Sequence, residues 1–332
     1  MFLSYLKKKI LGYSLPQEYA CVALEGITDP LRVTLTSKGG NFVLDVSHSH
    51  LFLGYKPLII GIPVHNNLSS GFASAQPENI CLSFHENEFT SNSIWNGFPS
   101  YDKSIARIIL KNNQKIACGD HSLYLYEGVY ARHEFINRFN QFVNRQKEKR
   151  RADRKVNINL SENLADQVQT AYSIPRVISI ITLSDHHKMN MFPTDLHGQI
   201  NDGFYVGSLR LGGKANDQVD AFKNVTLSRV DLAWCKQAYT LGKNHMQDLK
   251  EFDSFVISNR RSGRFHFPLP EGVLSYHELK RIDAVDIGIH RIHVYEILNK
   301  EKFADSNTLS HIHRFYAQWR ANNGKPTKFH WR

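Results

Sequence analysis

The stretch from Ser173 to Arg210 constrains the fold of this chain most, because it combines three strand-like segments with short polar turns. Residues 177–183, VISIITL, are rich in β-branched side chains, which predicts a strand buried on both faces. Residues 184–192 predict a polar turn and the returning strand of a hairpin. Residues 204–210, FYVGSLR, predict a third strand that ends in a cation just before a Gly-Gly-Lys turn. A strand end where hydroxyl, amide and cationic groups converge is a candidate anion site.

The order of these segments resembles the flavin reductase-like, FMN-binding split β-barrel family. Its features here are the PRVISIITL strand, the hairpin, an N-x-x-x-T pattern over 190–194, and a strand followed by a basic turn and a helix at 216–222. A later segment, 286–297 (DIGIHRIHVYEI), is similar to the family's late G-x-H strand. The similarity covers residues 173 to about 300. It implies a mainly β (α+β) protein whose C-terminal half is a split β-barrel of flavin reductase-like type.

The resemblance also implies which side chains would hold FMN. The hairpin's returning strand would line the ring and ribityl chain, and the third strand with its turn would hold the ribityl and phosphate end. The implied cofactor-binding residues are Asn190, Met191, Phe192, Pro193, Thr194, Ser208, Leu209, Arg210, Lys214 and Asn216. Among them, Arg210 and Lys214 are favoured for the phosphate because charge-assisted hydrogen bonds are strong.

His290 matches the family's late histidine and is the implied catalytic residue, facing the flavin or a nicotinamide substrate. The alternative is a hydrogen bond within a strand pair. Asp195 and His197 either point into the same cofactor pocket as His290 or have a structural role in the loop. Many family members have Ser or Thr where this chain has Ala215, so one phosphate hydroxyl is absent and Lys214, Asn216 or backbone amides would replace it.

The function implied by the resemblance is that of an FMN-dependent oxidoreductase. It would take hydride from NADH or NADPH and pass electrons through the flavin to a flavin or small-molecule acceptor, while the protein positions the cofactor. The alternative is a non-catalytic split-barrel binding protein that has lost its ligand or exchanged it, for example for haem. Ala215 favours that alternative, whereas Arg210 with Lys214 disfavours it.

Charge and cysteine usage narrow the class of protein. The formal net charge of +10 is compatible with an anionic partner, but for the charge taken alone a dispersed excess of lysine is the favoured explanation. The four cysteines show no C-x-x-C spacing, which predicts neither a zinc site nor a disulfide framework and fits reduced thiols in the cytoplasm. No apolar run approaches the roughly 18 residues that span a bilayer, so no membrane partner is expected.

The N-terminal half is predicted to be β-rich. Residues 41–62 (NFVLDVSHSHLFLGYKPLIIGI) can be laid over 189–209 with Gly61 against Gly207, since both have a strand, a polar corner, a Gly-containing loop and a second strand. A true repeat would make this half a diverged second split barrel, so that the two halves form a pseudo-dimer within one chain. Otherwise it is an unrelated β domain and a homodimer is expected.

Helical spacing marks two further segments. Phe135, Ile136, Phe139, Phe142 and Val143 predict a helix that buries this stripe, and residues 309–319 predict a C-terminal helix.

The run RQKEKRRADRK at 145–155 has no apolar face and predicts a solvated linker. Nucleic-acid binding there is not favoured, because the run lacks interleaved aromatics. The predicted domains are 1–144 (β-rich), 145–160 (basic linker), 161–303 (FMN-binding split barrel) and 304–332 (helix and tail).

Other site motifs are incomplete. The segment from Ser208 to Ala215 lacks the first glycine and the final hydroxyl of a P-loop. The chain has no G-x-G-x-x-G after a strand and no G-x-S-x-G elbow. The histidine pairs at 48/50, 186/187 and 311/313 lack a third ligand at metal spacing, so turn or surface histidines are expected and no metal is predicted.

Overall fold

The computed structural model describes residues 18–38, 43–67, 78–86, 91–95, 98–101, 104–151, 160, 163–185, 187–325, 327 and 329–330. The chain divides into two compact units. The first unit contains residues 29–174 and 315–325, and the second contains residues 1–28, 175–314 and 326–332. The bounds of these units differ from those of the predicted domains.

Strands dominate the described residues, so the predicted mainly β class is confirmed. The strands are β1 (Tyr19–Ala23), β2 (Arg32–Ser37), β3 (Val43–Asp45), β4 (Leu51–Gly54), β5 (Ile59–His65), β6 (Asn79–His85), β7 (Ser91–Trp95), β8 (Phe98–Tyr101), β9 (Ser104–Cys118), β10 (His121–His133), β11 (Arg176–Val177), β12 (Ser179–Ser184), β13 (Lys188–Thr194), β14 (His197–Gln199), β15 (Phe204–Arg210), β16 (Asn224–Val230), β17 (Lys250–Glu251), β18 (Ile257–Arg261), β19 (Pro268–Pro270), β20 (Val273–Ile287), β21 (His290–Lys302), β22 (Leu309–His313) and β23 (Phe329–His330).

Helices are fewer over the same ranges. The α-helices are α1 (Arg138–Arg151), α2 (Leu164–Ala171), α3 (Lys214–Phe222), α4 (Cys235–Thr240) and α5 (Arg314–Asn322). The 3₁₀ helices are Leu24–Gly26, Leu232–Trp234, Leu241–Met246 and Phe252–Ser254.

The core of the second unit is built around β12. Within its described part, the largest sheet has eight strands in the order β14-β15-β21-β20-β16-β12-β13-β17. All six residues of β12 are buried, as the run of β-branched residues predicts. Successive side chains of a strand point to opposite faces. Accordingly, Ile180 packs in one apolar cluster with Met191, and Ile181 packs in another with Phe192.

A smaller sheet of the second unit has the order β11-β22-β1-β23 over the described residues. Here the predicted helix over 309–319 is wrong for its first part. Residues Leu309–His313 form β22, which pairs antiparallel with β1, and α5 begins only at Arg314. The strand forms because β1 offers a hydrogen-bonding edge from nearly 300 residues away in sequence, and such tertiary pairing outweighs local periodicity.

The largest sheet of the first unit has, over its described residues, the order β3-β2-β6-β9-β10-β5-β4. Taken in chain order, β2 to β6, β9 and β10 of this sheet correspond to β12 to β16, β20 and β21 of the second unit. Each pair of neighbouring strands in the seven-stranded sheet then corresponds to a pair of neighbouring strands in the eight-stranded sheet. Gly61 and Gly207 fall on the matched strands β5 and β15. The shared order supports the repeat; a second split barrel stays a prediction.

The apolar stripe predicted near residue 140 is only partly buried. Phe135 is buried, but Phe139 and Phe142 are 73% and 59% exposed, so that prediction is wrong for these two side chains. The helix α1 begins at Arg138, so Phe135 lies before the helix and is not part of its apolar stripe. The predicted basic linker, 145–160, begins inside α1, and residues 152–159 lie outside the described residues.

Candidate functional site

The hairpin strand β13 carries the first group of predicted cofactor residues. It pairs with β12 on one side and with the short β17 on the other. Asn190, Met191 and Phe192 are fully buried, Thr194 is nearly so, and Pro193 is half-buried. The five residues are consecutive on one strand, so Asn190, Phe192 and Thr194 face one side of the sheet and Met191 and Pro193 face the other, all within the second unit.

The 3₁₀ segment Leu241–Met246 covers this part of β13. Asn244 Nδ2 donates to Met191 O at 2.9 Å, and its own carbonyl accepts from Asn190 Nδ2 at 3.1 Å. His245 Nε2 donates to Pro193 O at 2.7 Å, and its ring lies 4.8 Å from the Phe192 ring. Burial lowers the pKa of His245, which keeps the ring neutral in this contact. A ligand that reaches β13 from this side must displace the segment.

Asn190 carries a polar atom that has no protein partner among the described residues. Asn190 Nδ2 also donates to Gln218 Oε1 at 2.7 Å, but Asn190 Oδ1 is buried and accepts no hydrogen bond. A buried acceptor without a donor costs about 1–3 kcal/mol. Such an atom is a ready acceptor for a ligand N–H group, and the imide N–H of a flavin ring is a group of that kind.

The end of β15 carries the next predicted residues. Ser208 and Leu209 are buried, whereas Arg210 is exposed. Arg210 pairs in register with His290 on β21, and Ser208 Oγ lies 3.2 Å from His290 Nδ1. His290 is 1% exposed. The predicted catalytic histidine thus contacts a predicted cofactor-binding serine and takes part in a strand pair as well.

The turn after β15 forms the predicted anion site, which we call the anion seat: Arg210, Gly212, Gly213, Lys214 and the first turn of α3. Gly212 has a φ of +74°, and a Cβ placed there would meet no atom within 4 Å, so the turn is open at Gly212, whereas Gly213 is buried against Arg210 O and the Leu241–Met246 segment. Gly213 is the N-cap of α3, and no side chain caps the helix. The N–H groups of a helix N-terminus attract anions. Two exposed cations and this open turn therefore favour a phosphate.

Other contacts modify the anion seat. Lys214 Nζ lies 2.6 and 2.5 Å from the two carboxylate oxygens of Asp248, an exposed pair. Ala215 is buried in the same apolar cluster as Val219, so its methyl group packs into the core. Asn216, a predicted ligand, is also buried, and its Oδ1 accepts from His293 Nε2 at 3.0 Å. The structure thus groups Arg210 and Lys214 at the surface and places Asn216 behind them.

A charged network supports α3 from β20 and β21. Asp220 on α3 pairs with Arg281 at 3.2 Å and with Arg291, which also holds Asp286. His293 is fully buried beside this network. Burial, and then the nearby arginines, lower its pKa to about 4, although Asp220 opposes the shift. A neutral His293 donates to Asn216, so the network fixes the helix that carries the anion seat.

His197 and Asp195, the two candidate residues near the hairpin, contact different partners. His197 donates through Nε2 to Val177 O at 3.2 Å and accepts at Nδ1 from Tyr205 at 2.8 Å. Burial, with Arg229 nearby, lowers the pKa of His197 to about 4, so the half-buried ring is neutral. Asp195 instead pairs with His311 at 2.8 Å.

The expectation of surface histidines at 311 and 313 is wrong. Both lie on β22 and are buried. His311 lines an apolar cavity of about 130 Å³ in the second unit. The cavity is lined by Ile178, Pro193, Thr194, Asp195, Ala238, Tyr239 and His311. Two predicted cofactor residues therefore border a space that the sequence did not reveal, because its other walls come from β22 and α4.

The first unit brings together three potential metal ligands that sequence spacing missed. The ligand atoms of His65, Asp120 and His121 lie within 4.8 Å of one another, and His65 and His121 are register partners on β5 and β10. His121 Nδ1 donates to Asp120 at 2.7 Å, and His65 Nδ1 accepts from Asn67 N. The cluster is thus hydrogen-bonded internally, and its carboxylate is 64% exposed.

Comparison with known proteins gives matches to solved structures alone. No family model matches the chain, and no curated protein matches it. An FMN-binding protein from Thermus thermophilus with bound p-hydroxybenzaldehyde is 14% identical, with 39% of this chain and 73% of that chain covered and a TM-score of 0.35. An NADH:FAD oxidoreductase from Streptomyces globisporus C-1027 is 12% identical, with 43% and 84% covered and a TM-score of 0.38.

The flavin reductase component of a bacterial two-component tryptophan halogenase is 16% identical to the chain. It has 44% of this chain and 91% of its own length covered, with a TM-score of 0.39. These are the kinds of protein that the sequence resemblance named. Likeness of this extent leaves the function open, so the residues of the chain itself have to support a function. No helix within the described ranges is long and apolar enough to cross a bilayer.

Proposed function

We propose that the second unit binds FMN and that the protein is an oxidoreductase of flavin reductase type. It would take hydride from NADH or NADPH and pass electrons to a flavin or a small-molecule acceptor. The anion seat carries this proposal: an exposed glycine at 212, a helix N-terminus without a side-chain cap and two exposed cations meet at the end of β15. This set of donors suits a phosphate monoester, which is the anionic end of FMN.

The roles of the residues follow from their positions. Arg210 and Lys214 bind the phosphate, and the N–H groups of the first turn of α3 add to its stabilisation. Asn190 accepts from the ring imide through its unpartnered Oδ1. His290 is a positioning residue, because its contact at 3.2 Å orients the Ser208 hydroxyl at the ribityl end.

The bound flavin supplies the redox chemistry by accepting a hydride from the nicotinamide. The protein has to present one ring face to the nicotinamide and to exclude water from it. Binding at β13 requires Leu241–Met246 to withdraw, since Asn244 and His245 now occupy the hydrogen bonds of Asn190, Met191 and Pro193. The contacts of Asn244 and His245 are hydrogen bonds and one ring contact, which are individually weak.

The first test is FMN binding, followed by reduction. FMN titrated into the purified protein should lose fluorescence with a dissociation constant in the micromolar range. Anaerobic NADH or NADPH should then bleach its visible absorption band. A protein that does not bind FMN overturns the cofactor proposal. Binding without bleaching by either nucleotide leaves a flavin-binding protein and overturns the oxidoreductase.

The ion pair at the anion seat predicts a gain in affinity. Asp248→Asn should lower the dissociation constant for FMN about threefold to fivefold at low salt. In the variant, Lys214 does not have to break its ion pair with Asp248 before it binds the phosphate. An exposed pair of this kind is worth up to about 1 kcal/mol. The matched control is Asp202→Asn, which removes the exposed partner of Lys300 at 3.2 Å. Equal effects of the two variants would contradict the role of Lys214.

A further inference from the structure

Two cysteines far apart in sequence meet in the second unit. Cys21 lies on β1 and Cys235 begins α4. Their sulfur atoms are 3.3 Å apart, with Cys235 Sγ donating to Cys21 Sγ. A disulfide needs an S–S distance of about 2.05 Å, so the two sulfurs have to approach by about 1.2 Å. Cys81 and Cys118, the other two cysteines, lie in the first unit and are buried thiols outside any disulfide.

A chain of hydrogen bonds leads away from the two sulfurs. Cys21 Sγ donates to Tyr239 Oη at 3.5 Å, and Tyr239 Oη lies 3.2 Å from His311 Nδ1. His311 Nε2 donates to Asp195 Oδ2 at 2.8 Å. Since Nε2 donates to a carboxylate, the neutral ring accepts at Nδ1, and the Tyr239 hydroxyl is its donor. Every donor therefore points the same way, from Cys235 towards Asp195.

The two thiols differ in their exposure to solvent. Cys21 is 2% exposed, whereas Cys235 is half-buried. Tyr239, His311 and Asp195 line the apolar cavity of about 130 Å³. An oxidant from solution therefore reaches Cys235 first, and the buried Cys21 is the second thiol to react.

We propose that Cys21 and Cys235 are a redox-active dithiol that a hydroperoxide oxidises to a disulfide, with Tyr239, His311 and Asp195 serving as its proton acceptor chain. The dithiol chemistry does not depend on FMN, although Pro193 and Thr194 of the proposed FMN site border the same cavity. The geometry supports it in three ways: the sulfurs are adjacent, one of them is accessible, and the hydrogen bonds run towards a histidine–carboxylate pair.

The reaction balances in two steps. Cys235 first passes its proton along the chain, so that His311 becomes an imidazolium held by Asp195. The Cys235 sulfur attacks the peroxide, its O–O bond breaks, and a sulfenic acid and one water (or alcohol) form with return of the proton. The Cys21 sulfur then attacks Cys235, and the sulfenic oxygen leaves as water with the Cys21 proton. Two thiols lose two electrons and two protons, and the peroxide gains both.

The hydrogen bond to Cys21, and then burial, raise the pKa of the Cys235 thiol. The resting pair is therefore a protonated dithiol, and such thiols react slowly because the thiolate is the nucleophile. Removal of the proton is then the difficult part of the reaction. A base within a hydrogen-bond chain contributes about 10²-fold or more to such steps.

The first experiment counts thiols in the full-length protein. After treatment with hydrogen peroxide, alkylation in denaturant and intact-mass measurement should show two of the four thiols lost, and a digest should contain one peptide pair joined through Cys21 and Cys235. Cys81→Ser and Cys118→Ser should lose the same two thiols, whereas Cys235→Ser should lose neither. In Cys21→Ser, a sulfenic acid should be trapped at Cys235. No linked peptide in the wild-type protein would overturn the dithiol.

The second experiment tests the proton acceptor chain. His311→Ala should form the same disulfide about a hundredfold more slowly, and added imidazole should restore part of the rate because the enlarged cavity can admit it. His313→Ala is the matched control, since it is a buried histidine on the same strand outside the chain. An unchanged rate in His311→Ala, or a loss that imidazole does not rescue and His313→Ala shares, would overturn the role of His311.

Discussion

Glu278→Ala should lower the free energy of unfolding by about 4 kcal/mol, the largest effect of a single substitution expected in the second unit. Glu278 is fully buried on β20. Its carboxylate accepts from the backbone N–H of Arg264 at 2.9 and 3.0 Å, from that of Phe265 at 2.6 Å and from Asn299 Nδ2 at 2.9 Å. Alanine would leave three part-buried donors without this acceptor, and each costs about 1–3 kcal/mol, with the lower end applying where water reaches the donor.

Urea unfolding of the wild-type protein and the variant measures this loss. Glu296→Ala is the control, because Glu296 is an exposed glutamate on the adjacent strand β21 and should change stability by less than about 0.5 kcal/mol. Hydrogen exchange of the amides of Arg264 and Phe265 locates the effect, since both should lose protection in Glu278→Ala. A loss below about 1 kcal/mol would mean that water or a rearranged turn replaces the carboxylate.

The strands and helix nearest the anion seat could be predicted from sequence because local patterns decide them. Most of the β-branched run became β12, although Val177 lies in β11 of the smaller sheet; FYVGSLR became β15 with its bounds unchanged, and the helix after the glycine turn became α3. In each case the side chains that determine the element are its own. Local pattern failed where a distant segment decides the outcome, as in the pairing of β22 with β1.

The residues of the candidate site also differ in whether the sequence could predict them. The resemblance named Arg210 and Lys214, and the structure brings them together at one turn because both lie within five residues of one strand end. The cover of β13 by Asn244 could not be predicted, since it joins residues more than 50 positions apart. The contact of Cys21 with Cys235 spans 214 positions. Sequence spacing shows cysteine pairs only when both members share a motif.

Replacing both cations of the anion seat should weaken FMN binding about a hundredfold. Arg210→Ala with Lys214→Ala removes two charge-assisted hydrogen bonds, each worth about 1.5–3 kcal/mol before screening. Both side chains are exposed, and Lys214 has to leave Asp248 to bind, so we discount this to about 2.7 kcal/mol in total. That energy corresponds to two powers of ten in the dissociation constant.

Riboflavin distinguishes a phosphate site from a general loss of fold. It has the same ring and ribityl chain as FMN but no phosphate, so the double variant should bind riboflavin as the wild-type protein does. The wild-type preference for FMN over riboflavin should fall from about a hundredfold to near one, and Lys300→Ala, which removes another exposed lysine paired with an aspartate, should leave it unchanged. Loss of both ligands in the double variant would instead mean that Arg210 and Lys214 support the fold. A retained preference would move the phosphate to another part of the chain.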